Sequence, residues 1–168
     1  MVRKSEVLNS QTVFVEGVGF ISNSAKVELP KVEFESFEAK SGVAVHNIPT
    51  TVLKKMEAKF ELNEINKVYF EAISKRQNQK AVFWVKKNTN QNEADSKTTV
   101  TLKGSIDSFE FPNGDIGAEE KASLSLNVDF FKYEKDGQVL VLIDVDNLVC
   151  EINGKDIWQE QRDFLLGS

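Results

Sequence analysis

Cysteine and histidine occur once each in these 168 residues. A single cysteine, Cys150, excludes an intrachain disulfide and fits a reducing compartment. His46 and Cys150 are the sole candidates for a thiol nucleophile and its base, yet one falls in a loop-like stretch and the other in a strand-like one, so that pairing is not expected. No run approaches the ~18 apolar residues of a membrane span, and the start, MVRKSEVLNSQ, lacks the apolar stretch of a signal peptide. A protein made and kept in cytosol, with no membrane insertion, is the expectation. Zinc spacings, phosphate-cradling loops and nucleotide fingerprints are missing, which leaves no catalytic group, metal or cofactor to assign. Basic clusters are missing as well: 21 Lys and Arg are scattered among 26 Asp and Glu, for a net charge of −5, and gripping nucleic acid needs a concentrated basic face.

The residues that remain suggestive have plainer readings. Asp144 and Asp146 could act as paired carboxylates or flank a cation, but no Gly-bearing calcium loop follows them, and solvated or interface carboxylates are expected. Trp84 and Trp158 lack the basic surround of a base-stacking site, which favours a core or subunit-contact role.

What is present is alternation. Leu124, Leu126, Val128 and Phe130 share one face of a strand, with Ser123, Ser125, Asn127 and Asp129 on the other, so one side seeks a core and the other water or a channel. Asp136-Gly137 then tolerates the positive φ of a type I′ turn, which makes a hairpin. The returning run, Val139 to Val145, is apolar on both sides and needs a second cover. At 168 residues the chain fits one domain, 1–168, burying roughly 68–70% of its unfolded surface.

Earlier in the chain, residues 1–11 are polar and aperiodic and read as an N-terminal arm. Thr12 to Phe20 is β-rich around Gly17 and Gly19. Lys26 to Phe37 shifts parity across Pro30, which marks an edge or bulge. Residues 39–51 read as a long contact loop. Lys54 to Leu62 alternates strictly. Asn63 to Ile73 carries Ile65, Val68, Tyr69, Ala72 and Ile73 at helical spacing, the one convincing helix, suited to cover the Val139 to Val145 strand. Lys80 to Lys87 reads as a buried strand, 88–96 as a polar loop, and Thr98 to Phe111 as a strand with a bulge near Asp107 and Ser108. Asn153-Gly154 predicts a closing hairpin whose second strand spans Lys155 to Gln161.

The order of these features resembles the major tail tube protein of contractile-tailed bacteriophages. The likeness rests on Gly17, Leu29, Pro30 and Lys31 near the start. Near the end it rests on Asp136, Gly137, Ile143, Asp144, Asn153, Gly154, Gln161 and Arg162. The resemblance implies a mainly β sandwich or barrel-like subunit with one flanking helix. It further implies hexameric rings whose sheets join into an inner barrel, stacked into a tube inside a contractile sheath. Partners would be other copies of the chain, the sheath, tape measure, baseplate and terminator proteins, and double-stranded DNA passing without specific binding. A virion tail, assembled in host cytoplasm, is the implied location. Within the 39–51 loop, Gly42, Val43, Val45, His46, Ile48 and Pro49 are expected at the contact with a neighbouring subunit. Tubes of contractile bacteriocins and type VI secretion are related. A monomeric β-barrel holding a small ligand, or a hydrolase using Asp144 or Asp146, are the readings from other classes.

Overall fold

A computed structural model describes residues 4–17, 19–22, 26–74 and 80–167. β1 (Val7–Val15) turns into β2 (Gly19–Ser22), and β3 (Lys26–Glu28) ends ahead of Pro30, which has no N–H to give a ladder. β4 (Phe34–Ser41), β5 (Ala44–Leu53) and β6 (Met56–Leu62) lead to α1 (Lys67–Ser74). β7 (Ala81–Gln91), β8 (Ala94–Glu110), β9 (Ala122–Lys135) and β10 (Gln138–Asp144) follow, then β11 (Val149–Ile152), β12 (Lys155–Asp156) and α2 (Gln159–Leu166). The structure is mainly antiparallel β, as the alternation predicts. Two helices flank it rather than one.

A ten-stranded sheet runs β12-β11-β10-β9-β8-β7-β1-β2 and forks at β9. The first half of β9 pairs with β6, from Leu62 opposite Ala122 to Met56 opposite Val128, and its second half pairs with β10. β3 adds to the far side of β6. The fork makes two layers. Phe60 of β6 and Phe83 of β7 stack across the space between them, ring centroids 4.9 Å apart, among Leu62, Leu102, Leu124 and Ile143, all fully buried. The forked sheet ends at β12, β2 and β3 and its interior is filled by side chains, so among the described residues it does not close into a barrel around a ligand.

β8 and β9 pass from one layer to the other, and two bulges let them bend. Lys103 opposes Phe130 while Gly104 opposes Val128, which leaves Asp129 unopposed; Ile106 opposes Leu126 while Ser108 opposes Ser125, which leaves out Asp107. The second bulge is the one the sequence predicts. The first was not foreseen, and it resets the parity of β9, so that Phe131 rather than Phe130 enters the core and Asp129 leaves the Ser123, Ser125, Asn127 row. At Gly104 the strands come so close that a Cβ would overlap the Asn127 carbonyl oxygen and lie 2.7 Å from its carbon.

Several expectations change. Residues 7–11 are part of β1, paired to β7 from Val7 opposite Asn90 onward, and not a free arm. The polar 88–96 stretch continues both strands of a hairpin, with only Asn92 and Glu93 in the turn at φ of 53° and 66°. Polar strands pair through backbone groups, so hydrophobic periodicity does not reveal them. Asp136-Gly137 and Asn153-Gly154 form the turns predicted for them, with φ of 50° and 80° in each. α1 starts four residues later than its spacing suggests because Leu62 is still buried at the end of β6 and the chain must first turn. Ile65 and Ile73 pack on the core; the Val68, Tyr69 and Ala72 side chains lie outside the described residues. α1 lies against β2 instead of covering β10.

Gly104→Ala should therefore force β8 from β9 at the layer crossing and destabilise the fold by about 3 kcal/mol. Thermal unfolding of the variant, roughly 6–12 °C below the parent, is the measurement that checks it.

Candidate assembly surfaces

Residues 39–51 are not a loop. β4 and β5 pair only with each other, apart from the ten-stranded sheet, and form a two-stranded arm with Gly42 and Val43 at its tip. Ten residues of β5 at about 3.3 Å each make it about 33 Å long. Phe37 pairs with Ile48, Ala39 with His46 and Ser41 with Ala44 on one face, while Glu38, Lys40, Val45 and Asn47 take the other. Pro49 sits in β5 opposite Ser36, tolerated because no third strand needs its N–H. Phe37, Val43, Val45 and Val52 are more than half exposed, far more apolar surface than a solvated hairpin requires. At the root the chain closes on itself: the Lys54 N–H donates to the Glu33 carbonyl at 2.8 Å.

Where β9 leaves β10 for β6, the fork opens a crevice of 610 Å³ beside that root. Val52, Met56, Val128, Val145, Leu148 and Leu165 supply its apolar lining, with Asn127 and Asp129 among its polar residues. The Asn127 side-chain oxygen is buried and has no hydrogen-bond partner. The Lys80 ammonium lies 2.6 Å from Asp146 and 2.9 Å from Asp129. Those two carboxylates, Asp146 foremost, raise the lysine pKa.

α2 forms one wall of the crevice and was missed in the sequence, where Lys155 to Gln161 read as strand. None of its residues is buried, so it carries no apolar stripe. The available signal was a run of good helix formers, QEQRDFLL, ahead of Gly167, which caps the helix at φ 67°. Polar ties hold it. The Trp158 indole N–H donates to the Thr51 carbonyl at 2.8 Å, and the Gln161 amide donates to the Thr51 hydroxyl at 2.7 Å, joining helix to arm root. Arg162 reaches Asp156 at 2.6 Å and the Leu148 carbonyl at 3.0 Å. Burial pushes the Asp156 carboxyl up, but Arg162 and the N–H groups of Cys150 and Trp158 outweigh it and hold the pKa below its ordinary value.

The outer face of the smaller layer is polar. Cross-strand pairing sets Glu61 beside Lys26 and Ser123, Lys59 beside Glu28 and Ser125, and Glu57 beside Asn127. Ser105 and Glu110 of β8 continue two of those rows. Ser123, Ser125 and Asn127 thus share one face, while Asp129 sits at the fork with Lys80.

Among the described residues none of these side chains come together as a reaction centre. His46 is exposed on the arm, whereas Cys150 is fully buried in β11 with its thiol pKa pushed up by burial. Asp144 accepts the Asn147 backbone and side-chain N–H groups and so caps a turn, and Asp146 pairs with Lys80. Trp158 is a structural anchor and Trp84 is half-buried on β7.

Solved structures share this fold. A protein of the PVC sheath/tube terminator of an extracellular contractile injection system, in the extended state, is 14% identical with a TM-score of 0.56, over 74% of this chain and 92% of its own. One from the PVC sheath-tube complex is 16% identical with a TM-score of 0.55, over 74% and 87%. One from the anti-feeding prophage cap, the AFP tube terminating cap, is 12% identical with a TM-score of 0.56, over 74% and 87%. No curated protein matches the chain in sequence. The fold is thus a mainly antiparallel β subunit of a kind found in contractile injection system structures. The chain belongs to the phage tail tube protein FII family, whose model matches residues 5–165. It is a structural tube protein, a tail component and not an enzyme.

The depressed Asp156 pKa stabilises the native state fully above the unfolded value of about 3.9, and that contribution is lost as pH falls further, through the folded pKa. Asp156→Asn should cost about 2 kcal/mol at neutral pH, or roughly 4–8 °C in Tm. The gap between variant and parent should narrow below about pH 4. Melting curves at several pH values check both.

Proposed function

We propose that the chain assembles into stacked hexameric rings that form the inner tube of a contractile tail, through which DNA passes and around which a sheath contracts. The observation that carries the ring is the smaller layer, β3, β6, the first half of β9 and the second half of β8. Among the described residues β3 pairs only with β6, and Ser105 to Phe109 of β8 pair only with β9, because β7 stops opposite Gly104. The layer thus has an open edge on each side, and its strands alternate in direction. With an even number of alternating strands, the β8 edge of one copy meets the β3 edge of the next in antiparallel sense, all around a ring. Closure of this kind removes edges that would otherwise aggregate.

The outer face of that layer, including Ser123, Ser125 and Asn127, then lines the channel. Charges of both signs alternate on it, Glu28 with Lys26, Glu57 with Lys55 and Glu61 with Lys121, so the wall offers a duplex no concentrated basic surface to adhere to. Sheath, tape measure, baseplate and terminator proteins complete the list of partners this reading requires. The arm residues Gly42, Val43, Val45, His46, Ile48 and Pro49 make the contact with a neighbouring subunit.

Purified protein at high concentration should form rings or tubes in negative-stain micrographs; a compact monomer under all such conditions would overturn the reading. Replacing Ser36 to Pro49 by Gly-Gly removes the arm while keeping its hydrogen-bonded root. Circular dichroism and melting temperature should stay near the parent, and tubes should disappear. Normal tubes from that variant would remove the arm from the assembly.

A further inference from the structure

The arm tip and the fork crevice are two apolar features that the single subunit leaves uncovered, and they sit at opposite ends of one hairpin. Val52 lies at the crevice and Val43 at the tip, about 33 Å away by the length of β5. We propose that the crevice is the socket for the arm tip of a second copy of this chain, an inference that rests on the tube reading above.

Shape is the first support: the tip is a narrow two-stranded turn with Val43 and Val45 outermost, and the crevice is a concave space of 610 Å³ between β5, β6, β9 and α2. Charge is the second. Lys40, separated from the Gly42-Val43 tip only by the strand residue Ser41, has no ion pair among the described residues. At the fork, Asp129 and Asp146 share the single cation Lys80, leaving one carboxylate in excess. The other cations around the crevice are already matched, Lys54 by Glu33, Lys55 by Glu57 and Arg162 by Asp156. An entering Lys40 balances the surplus.

Because tip and socket differ, the contact is head-to-tail and propagates from copy to copy without closing on a pair. Occupation also acts on the next step. The socket wall is tied to Thr51 through Trp158 and Gln161, so a filled socket steadies the root of the host's own arm. Assembly is then directional, each docked arm presenting a better ordered arm to the next copy.

The test places Val43→Cys and Val145→Cys in one chain, where the two thiols are too far apart to join within a copy; native Cys150 is fully buried. Oxidised tubes should give a ladder of disulfide-linked species on a non-reducing gel, and tubes of either single variant should not. Tubes without the ladder overturn the socket while leaving the tube reading intact; failure of the parent chain to assemble overturns both. Lys40→Glu should raise the concentration needed for tubes about tenfold, and adding Asp146→Lys should restore it. Unchanged assembly by Lys40→Glu overturns the charge match and the socket with it.

Discussion

The close approach of β8 and β9 at Gly104 is the constraint on which the rest of the molecule depends. Only a residue without a side chain lets the two strands pass so near the Asn127 carbonyl, and there the pair leaves one layer for the other. Three consequences follow from that crossing. β9 can pair with β10 in one layer and β6 in the other, so a single strand pair frames the whole core. β7 runs out opposite Gly104, so the remaining half of β8 is left with an open side. Asp129, pushed out of register by the bulge, is free to meet Lys80 at the mouth of the fork. Core, open edge and crevice thus share one cause.

Apolar surface is distributed to the same plan. The core is complete, with Phe60, Phe83, Leu102 and Leu126 at or near zero exposure. Exposed apolar groups include those of the arm and of α2, where Phe164, Leu165 and Leu166 are each more than half exposed. Large apolar patches on a protein surface mark contact sites, since water charges each buried CH₂ roughly 0.8 kcal/mol when it is exposed. The many surface ion pairs do little by comparison, because exposed pairs contribute about 0–1 kcal/mol each. Arg162 with Asp156 differs in being mostly shielded and in sharing its carboxylate with two backbone donors.

Legibility in the sequence tracked burial. Strands with one buried face, Met56 to Leu62 and Ala122 to Val128, were readable because a core imposes period two. The Asp136-Gly137 and Asn153-Gly154 turns were readable because few residue pairs accept their φ values. The arm was not readable as β structure: its strands bury almost nothing, so no core stamps a period on them, although the excess of apolar residues around Val43 to Ile48 did single it out. α2 failed for the same reason, being held by Trp158, Gln161 and Arg162 through polar contacts that leave no stripe. The crevice was beyond reach because it joins residues from β5, β6, β9 and α2, and only the fork brings those together.

Charge sets the remaining condition on assembly. Each copy carries −5, and stacking copies of like sign stores repulsion that salt screens over about 8–10 Å. In the assembly proposed above, apolar contact at the arm and strand pairing at the open edges would have to exceed that repulsion, and both are short-range, so copies would interact favourably only once docked in register. The face carrying Glu28, Glu57 and Glu61 is internally matched by Lys26, Lys55 and Lys121, so in the ring proposed above it would present a phosphate backbone with no concentrated basic surface. A polar face whose charges are already matched adds little adhesion, so in the proposed ring cohesion falls to the arm and to the backbone groups at the open edges of β3 and β8.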